Sequence, residues 1–389
     1  MLGSTLRQNV SVDAWFGGHE RLEEIADEWR GLCTEGPNDE PFYRPEWIAA
    51  YLRAFVPPQR VLLLEARVDG KLKAVLPLIA QHVGKGPFRF RTLVGAANIH
   101  SCRFDLIRGA GSEGSAAVAS IWSALKDRTD WDSIELPRVP RAGGAEQLLS
   151  LARQDGYLTG QWPSNLTPYI QFDCRTVDDP SSLARHAHFR QNLRRRIRKA
   201  ENTGSLTLRK VEHAGPADLE AFFELEQRGW KGKEQSAIGC NARTKQFYVE
   251  AAKAAARFGY LSLYFLELDG NPIAAHFGLS HRNRYYCPKI AYDEAVADLG
   301  PGHTIVGFIL ADIAKIGFSE FDFLGPMMPW KAEWADTVRP HSRCFIYRPG
   351  LHGSMLHFAR FHAMWEARKF LELPWVAERV IPLMKRIKS

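Results

Sequence analysis

Apolar positions run almost unbroken from Leu261 to Leu268, stop at Asp269-Gly270, and resume from Ile273 to Leu279. Two strands joined across Asp-Gly are the hairpin that such a pattern predicts. A third strand is expected over Arg284–Tyr292, with a break at Pro288, which has no N–H to donate. The turn Leu299-Gly-Pro-Gly302 follows, and then the apolar periodicity of a helix through Ile316. Backbone N–H groups at a helix start of this kind can cradle a phosphate. A short strand near Phe321-Asp-Phe-Leu then leads to Lys331 and Trp334.

The first half carries a fainter copy of this pattern. Val61–Val68, Asp69-Gly70 and Leu72–Ala80 repeat the hairpin, and an apolar helical patch precedes each copy: Trp47-Ile-Ala-Ala-Tyr-Leu in one, Phe247-Tyr-Val-Glu-Ala-Ala in the other. Self-similarity at so long a period reads as two related domains rather than a solenoid. Leu22, Ile25, Trp29 and Leu32 recur at helical spacing, a further helix is expected near 114–127, and a strand at Ser133–Pro137. Alternating strands and helices with Asp-Gly hairpins predict an α/β protein with a mixed (α+β) sheet. The expected units are a first domain over 1–173, a second over 183–347, and a basic amphipathic helical tail over 348–389. Cys174–Ser182 reads as the linker, and Met355, Phe358, Phe361 and Trp365 mark one face of the tail.

Length fits two cores, and 45% hydrophobic with 24% charged residues is the composition of an ordinary globular protein. Met1–Asn9 lacks the apolar core of a signal peptide, and there is no long uncharged apolar run to span a membrane. Six scattered cysteines without a C-x-x-C pair argue for reduced thiols in a cytoplasm and against a zinc site. The formal charge of +7 is concentrated in Arg190–Lys199 and in the tail, which favours anionic partners. Phe189, Leu193 and Ile197 fall four apart, so the arginines belong to an amphipathic helix. Aromatic residues are not interleaved as a nucleic-acid stacking surface requires, which argues against DNA.

Three stretches together resemble the Gcn5-related N-acetyltransferase (GNAT) superfamily: Phe189-Arg-Gln-Asn-Leu-Arg-Arg-Arg, Tyr292-Asp…Gly300-Pro-Gly302, and Asp322-Phe-Leu-Gly…Lys331-Ala-Glu-Trp334. The likeness is to its duplicated, Fem-like branch and, within that, to CelD-like and BioF2-like acetyltransferases. It implies two tandem GNAT-like domains, with acetyl-CoA or another acyl-CoA as co-substrate in the second. By this resemblance the coenzyme A pyrophosphate would rest on Gly300, Pro301, Gly302, His303 and Thr304, with Lys331 nearby. Ala297 stands where the family keeps Arg or Gln. Lys289, Ile290 and Ala291 would lie beside the pantetheine and polarise the acyl carbonyl as an oxyanion hole does.

Acyl transfer to an amine needs a proton acceptor and an acid for the leaving thiolate. Tyr292, Asp293 and His276 are the catalytic candidates, with Tyr292 favoured as the acid. A histidine in the middle of an apolar strand, as His276 is, more often belongs to the core. His100, Arg103 and Asp105 of the first half are polar groups that could face the acceptor, a small-molecule or envelope-precursor amine. The function expected is acyl-CoA-dependent N-acyl transfer linked to cell-envelope or exopolysaccharide metabolism. The alternatives are a Fem-like enzyme using aminoacyl-tRNA, disfavoured because no long paired helices are evident to hold tRNA, and a non-catalytic accessory protein of cellulose production. The basic tail offers peripheral contact with a membrane.

Overall fold

The computed structural model describes residues 9–363 except 18, 38, 87–88, 173–178 and 212. Its first half begins with β1 (Val10–Phe16), α1 (Glu20–Glu24), α2 (Ala26–Glu35) and α3 (Pro45–Phe55). Strands β2 (Val61–Val68), β3 (Lys71–Val83), β4 (Phe90–Gly95) and the short β5 (Ile107–Arg108) come next. Helix α4 (Gly111–Asp127), β6 (Ser133–Pro140), α5 (Gly144–Gln154) and β7 (Leu158–Gln171) complete it. The single helix expected over residues 19–32 is broken at Ile25, whose backbone leaves the helical region between α1 and α2.

The second half opens with the arginine-rich α6 (Ala187–Thr203), β8 (Leu206–Val211), α7 (Pro216–Arg228), α8 (Trp230–Lys233) and α9 (Ala242–Arg257). Strands β9 (Leu261–Leu268), β10 (Asn271–His281) and β11 (Arg284–Tyr292) lead to the central helix α10 (Pro301–Lys315). Then come β12 (Glu320–Asp322), α11 (Pro329–Ala332), β13 (Val338–Tyr347) and α12 (Leu351–Phe358). No helix among the described residues is long and apolar enough to cross a membrane.

The duplication is visible at atomic detail in the two hairpins. Asp69 and Asp269 take φ of 48° and 50°, and Gly70 and Gly270 take 78° each, the left-handed pair that a two-residue hairpin turn with matching twist requires. Each aspartate then ties down the start of the edge strand beside it. Asp69 Oδ1 accepts from the Asn9 amide at 3.1 Å, and Asp269 Oδ1 from the Ser205 amide at 2.8 Å. Both aspartate amides donate back to the same two residues at 2.9 Å.

The thirteen strands among the described residues join one mixed sheet in the order β1-β2-β3-β4-β6-β13-β7-β12-β11-β10-β9-β8, with β5 on β3. The last strand of each half lies at the centre. β13 pairs antiparallel with β6 on one side and with β7 on the other, and β7 continues onto β12 through Tyr169–Gln171. The sheet therefore does not stop between the expected 1–173 and 183–347 units: each half borrows a strand from the other.

The two apolar patches noted in the sequence meet across this junction. α3 and α9 pack together, with Trp47 edge-on to Phe247 at 5.3 Å and Phe55 against the same ring at 5.8 Å. A buried ion network adds a polar joint. Arg103, 3% exposed, donates to Glu40 of its own half and to Asp322 of the other, and Arg339 binds Asp322 at 2.7 Å and Glu320 at 2.8 Å.

After α12, the ring of Phe361 lies 5.1 Å from Trp162 and 5.7 Å from Phe345, whereas Met355 and Phe358 are exposed. Trp365 and most of the expected tail lie outside the described residues, as does most of the linker.

Candidate active site

Strand β11 shapes the site because it has a partner on one side for only part of its length. It pairs with β12 solely through Arg284–Tyr286 opposite Glu320–Asp322. Beyond this the two strands part, because the chain after Asp322 turns away through Leu324 and Gly325 at φ of 52° and 59°. The expected break at Pro288 is absent. Instead β11 continues to Tyr292 along β10, and the register shifts so that Cys287 and Pro288 together oppose Gly278. A bulge of this kind absorbs the missing N–H without ending the strand.

The gap between β11 and β12 opens into a cavity of about 880 Å³. The second half contributes Cys287–Tyr292, the Gly300–His303 turn, the Phe323–Pro326 loop and Lys331, and the first half contributes Ile99, Cys102, Arg138 and Asn165. At one end of the cavity lies the start of α10. Gly300 there is left-handed at φ 63°, and Pro301 supplies the fixed φ suited to a first helical position. A Cβ on Gly300 would meet Arg196 Cδ at 2.6 Å, and one on Gly302 would meet Tyr292 Cδ1 at 3.2 Å. Helix α6 thus lays a guanidinium directly against this turn. Leu193 and Ile197 hold α6 in place by burial, and the Phe189 ring packs edge-on to Trp334 at 5.4 Å.

His303 lines the same end of the cavity. Its Nδ1 accepts from Trp334 Nε1 at 3.1 Å, and since an indole N–H only donates, that nitrogen holds a lone pair. Burial, with the nearby Arg196 charge, pulls the imidazole down to about 4, so the ring is neutral and its proton sits on Nε2. His303 is therefore a hydrogen-bond donor. Lys331 is 5% exposed and spends its ammonium protons on the Leu324 and Pro326 carbonyls at 2.5 and 3.1 Å. This lysine fixes the loop that turns away from β11, rather than reaching for a ligand as its place in the sequence suggested.

Lys231 forms the opposite wall. Its Nζ binds Glu226 Oε1 at 2.7 Å and the Ile290 carbonyl at 2.8 Å. In an antiparallel strand a residue's N–H and C=O point the same way, so the Ile290 amide faces the cavity as well. Lys289 lies beside it, with Nζ 5.6 Å from the Tyr248 ring centroid, and burial lowers its ammonium below the usual range.

Of the residues expected from sequence, Lys289, Ile290, Ala291, Tyr292, Gly300, Pro301, Gly302, His303 and Lys331 share this cavity. Three do not line it. His276 is fully buried behind β11, where Nδ1 meets Tyr285 Oη at 2.9 Å and Nε2 meets Cys287 Sγ at 2.8 Å. Desolvation drives its imidazole down to about 3, and both nitrogens are occupied, so it is a satisfied core histidine. Asp293 caps the turn after β11 by accepting from the Ala295 amide at 2.9 Å. Thr304 is 1% exposed in the body of α10.

The first-half candidates also have structural duties. Arg103 belongs to the ion network, Asp105 accepts from the Ala145 amide at the start of α5 at 2.8 Å, and His100 stacks on Phe55 at 5.8 Å. Sequence reasoning did not single out Arg138, Glu226 or Lys231. Arg196 was noticed only as one member of a charged run, and its spacing gave no sign that it alone turns toward Gly300. Among the described residues no group of side chains is placed to hold a metal ion.

The site is thus a splayed parallel strand pair facing the amino end of a central helix. Residues 187–332 match the acetyltransferase (GNAT) domain family. Among solved structures, FemX superposes with a TM-score of 0.56 at 12% identity, covering 89% of this chain and 99% of its own. The C-terminal domain of a proposed lysylphosphatidylglycerol synthetase from Agrobacterium fabrum gives 0.52 at 11% identity, covering 88% of this chain and 96% of its own. A conserved protein of unknown function from Bacteroides thetaiotaomicron also gives 0.52 at 11% identity, over 87% and 100% of the two chains. At these identities the likeness is one of fold alone. No curated protein matches the chain in sequence.

Proposed function

We propose that the protein is an acyl-CoA-dependent N-acyltransferase that works in the cleft between its halves. The observation that carries this reading is the meeting, in one cavity, of the β11 edge with the Gly300–Gly302 helix start. The donor pyrophosphate would lie on the first turn of α10, held by its backbone N–H groups, by Arg196 and by the Nε2–H of His303. Arg196 would then supply from α6 the charge that Ala297 lacks. Pantetheine would run along Lys289–Ala291, and the Ile290 amide would polarise the thioester carbonyl.

The free-base amine attacks that carbonyl, forming the C–N bond and releasing its surplus proton to water in the open cleft. The C–S bond then breaks, and the thiolate takes a proton from the Tyr292 phenol, which solvent restores. The products are an amide and free coenzyme A. The described cysteines are free thiols, which fits the reducing cytoplasm where acyl-CoA is made.

Thiol release from acetyl-CoA, followed with a chromogenic disulfide against a panel of amines, tests the reading. Tyr292→Phe is expected to lower kcat by about a hundredfold with donor KM unchanged, the usual yield of a positioned acid. Thiol release no faster than the uncatalysed reaction for every amine would refute it.

One observation favours a second reading. Arg194, Arg195, Arg198 and Lys199 are exposed along α6 beside the cleft, a surface suited to a polyanion such as aminoacyl-tRNA. That donor would bind with an affinity that falls steeply with salt, and neutralising these four residues would abolish the binding.

A further inference from the structure

The cavity wall carries five cations, Arg138, Arg196, Lys231, Lys289 and Lys331, against a single carboxylate, Glu226. Three of the five are accounted for. Lys231 pairs with Glu226 at 2.7 Å, Lys331 holds two loop carbonyls, and Arg196 lies on the donor's phosphate turn. Arg138 and Lys289 are left over. Arg138 donates one hydrogen bond, to the Asn98 carbonyl, and Lys289 faces a tyrosine ring; neither has an ion-pair partner among the described residues. Withdrawing a cation from water without a counter-charge costs stability, so such groups persist where a ligand supplies the charge.

The backbone points the same way. Arg138 sits at φ 53°, a left-handed conformation that a non-glycine residue holds only where its surroundings enforce it. It lies where β6 slips register against β13, between Leu136 and Val139. Lys289 directly follows the bulge at Cys287–Pro288 in β11. Bulges re-aim side chains that regular alternation would send elsewhere, and here one from each half brings a cation to the same cavity. The two charges are close enough that both act on His100 and on Cys102. Arg196, at the other end, acts on His303.

We infer that the acceptor amine carries its own anionic group, a phosphate or a carboxylate, clamped between Arg138 of the first half and Lys289 of the second. The inference rests on the donor reading above, which assigns Arg196 to the coenzyme. It makes the interdomain end of the cleft an anion subsite and narrows the acceptor to amino acids, amino-sugar phosphates and similar anionic amines.

Three amines built on the same two-carbon spacer test it: phosphoethanolamine, β-alanine and ethanolamine, which has no anionic group, each titrated calorimetrically into protein saturated with coenzyme A. At least one anionic member is expected to bind ten-fold or more tightly than ethanolamine, and the better of the two identifies the group as phosphate or carboxylate. Arg138→Gln and Lys289→Gln, made separately, are expected to erase that preference without lowering the melting temperature, and Arg138→Gln, which lies away from the donor wall, is expected to leave coenzyme A affinity unchanged. Equal or absent binding of all three amines, or a preference that survives both substitutions, overturns the inference. The coenzyme A titration in the same experiment is read separately. If coenzyme A does not bind, the donor reading falls, and the three amines titrated alone still decide the subsite.

Discussion

At the residue scale, burial sets the chemistry available to each group. His276 and His341 are 0% and 3% exposed, and desolvation brings both imidazoles down to about 3. The partners that satisfy His276, Tyr285 and Cys287, lie on the neighbouring strand, so only the pairing of β10 with β11 reveals its role. Replacing it with leucine strands both partners, and chemical denaturation is expected to show a loss of about 2 kcal/mol. The kcat of the folded fraction should stay within two-fold of the parent, whereas a fall of ten-fold or more would restore His276 to the catalytic machinery. Gly300 and Gly302 were legible in the sequence because a glycine-rich turn before an apolar helix has a direct physical reading. Arg138 was not, because its orientation depends on a register slip against a strand two hundred residues away in the chain, between β6 and β13.

At the scale of elements, the joint between the halves depends on short segments. β12 has three residues, yet it links β11 to β7 and carries Asp322 into contact with Arg103. Arg103→Ala leaves Glu40 and Asp322 buried short of a counter-charge. It is expected to cost about 3 kcal/mol in equilibrium denaturation, as removing one partner of a buried ion pair does. A loss under 1 kcal/mol would show that Arg339 alone satisfies Asp322. The Asp-Gly hairpins, α4, β6 and the α6 face were readable from periodicity and turn chemistry. β7 was not: Leu158–Gln171 is polar along much of its length and contains Pro163 and Pro168, so nothing local marks it as a central strand. It becomes one because β13 and β12 cover its edges.

At the scale of the whole molecule, strand exchange makes one continuous sheet, so the halves have no separate route to unfolding. Calorimetry is expected to show one transition, and two resolved transitions would contradict the exchange. Its temperature should respond to acid in a defined direction. His276 and His341 are neutral in the native chain but take up protons near 6.5 once unfolded. Above that pH the two states bind equally and these residues contribute no slope. Between about 6.5 and 3 the unfolded chain binds more protons, and each histidine removes on the order of 1.4 kcal/mol of stability per pH unit.

The central claim is that the start of α10 holds the phosphates of an acyl donor. Its most direct test is calorimetric titration of acetyl-CoA into the parent chain and into Gly302→Asp, which places a carboxylate where the pyrophosphate would lie. One site per chain is expected in the parent and an affinity at least a hundredfold weaker in the variant, with the circular dichroism of both alike. Absence of binding to the parent, or equal binding to both proteins, would contradict it.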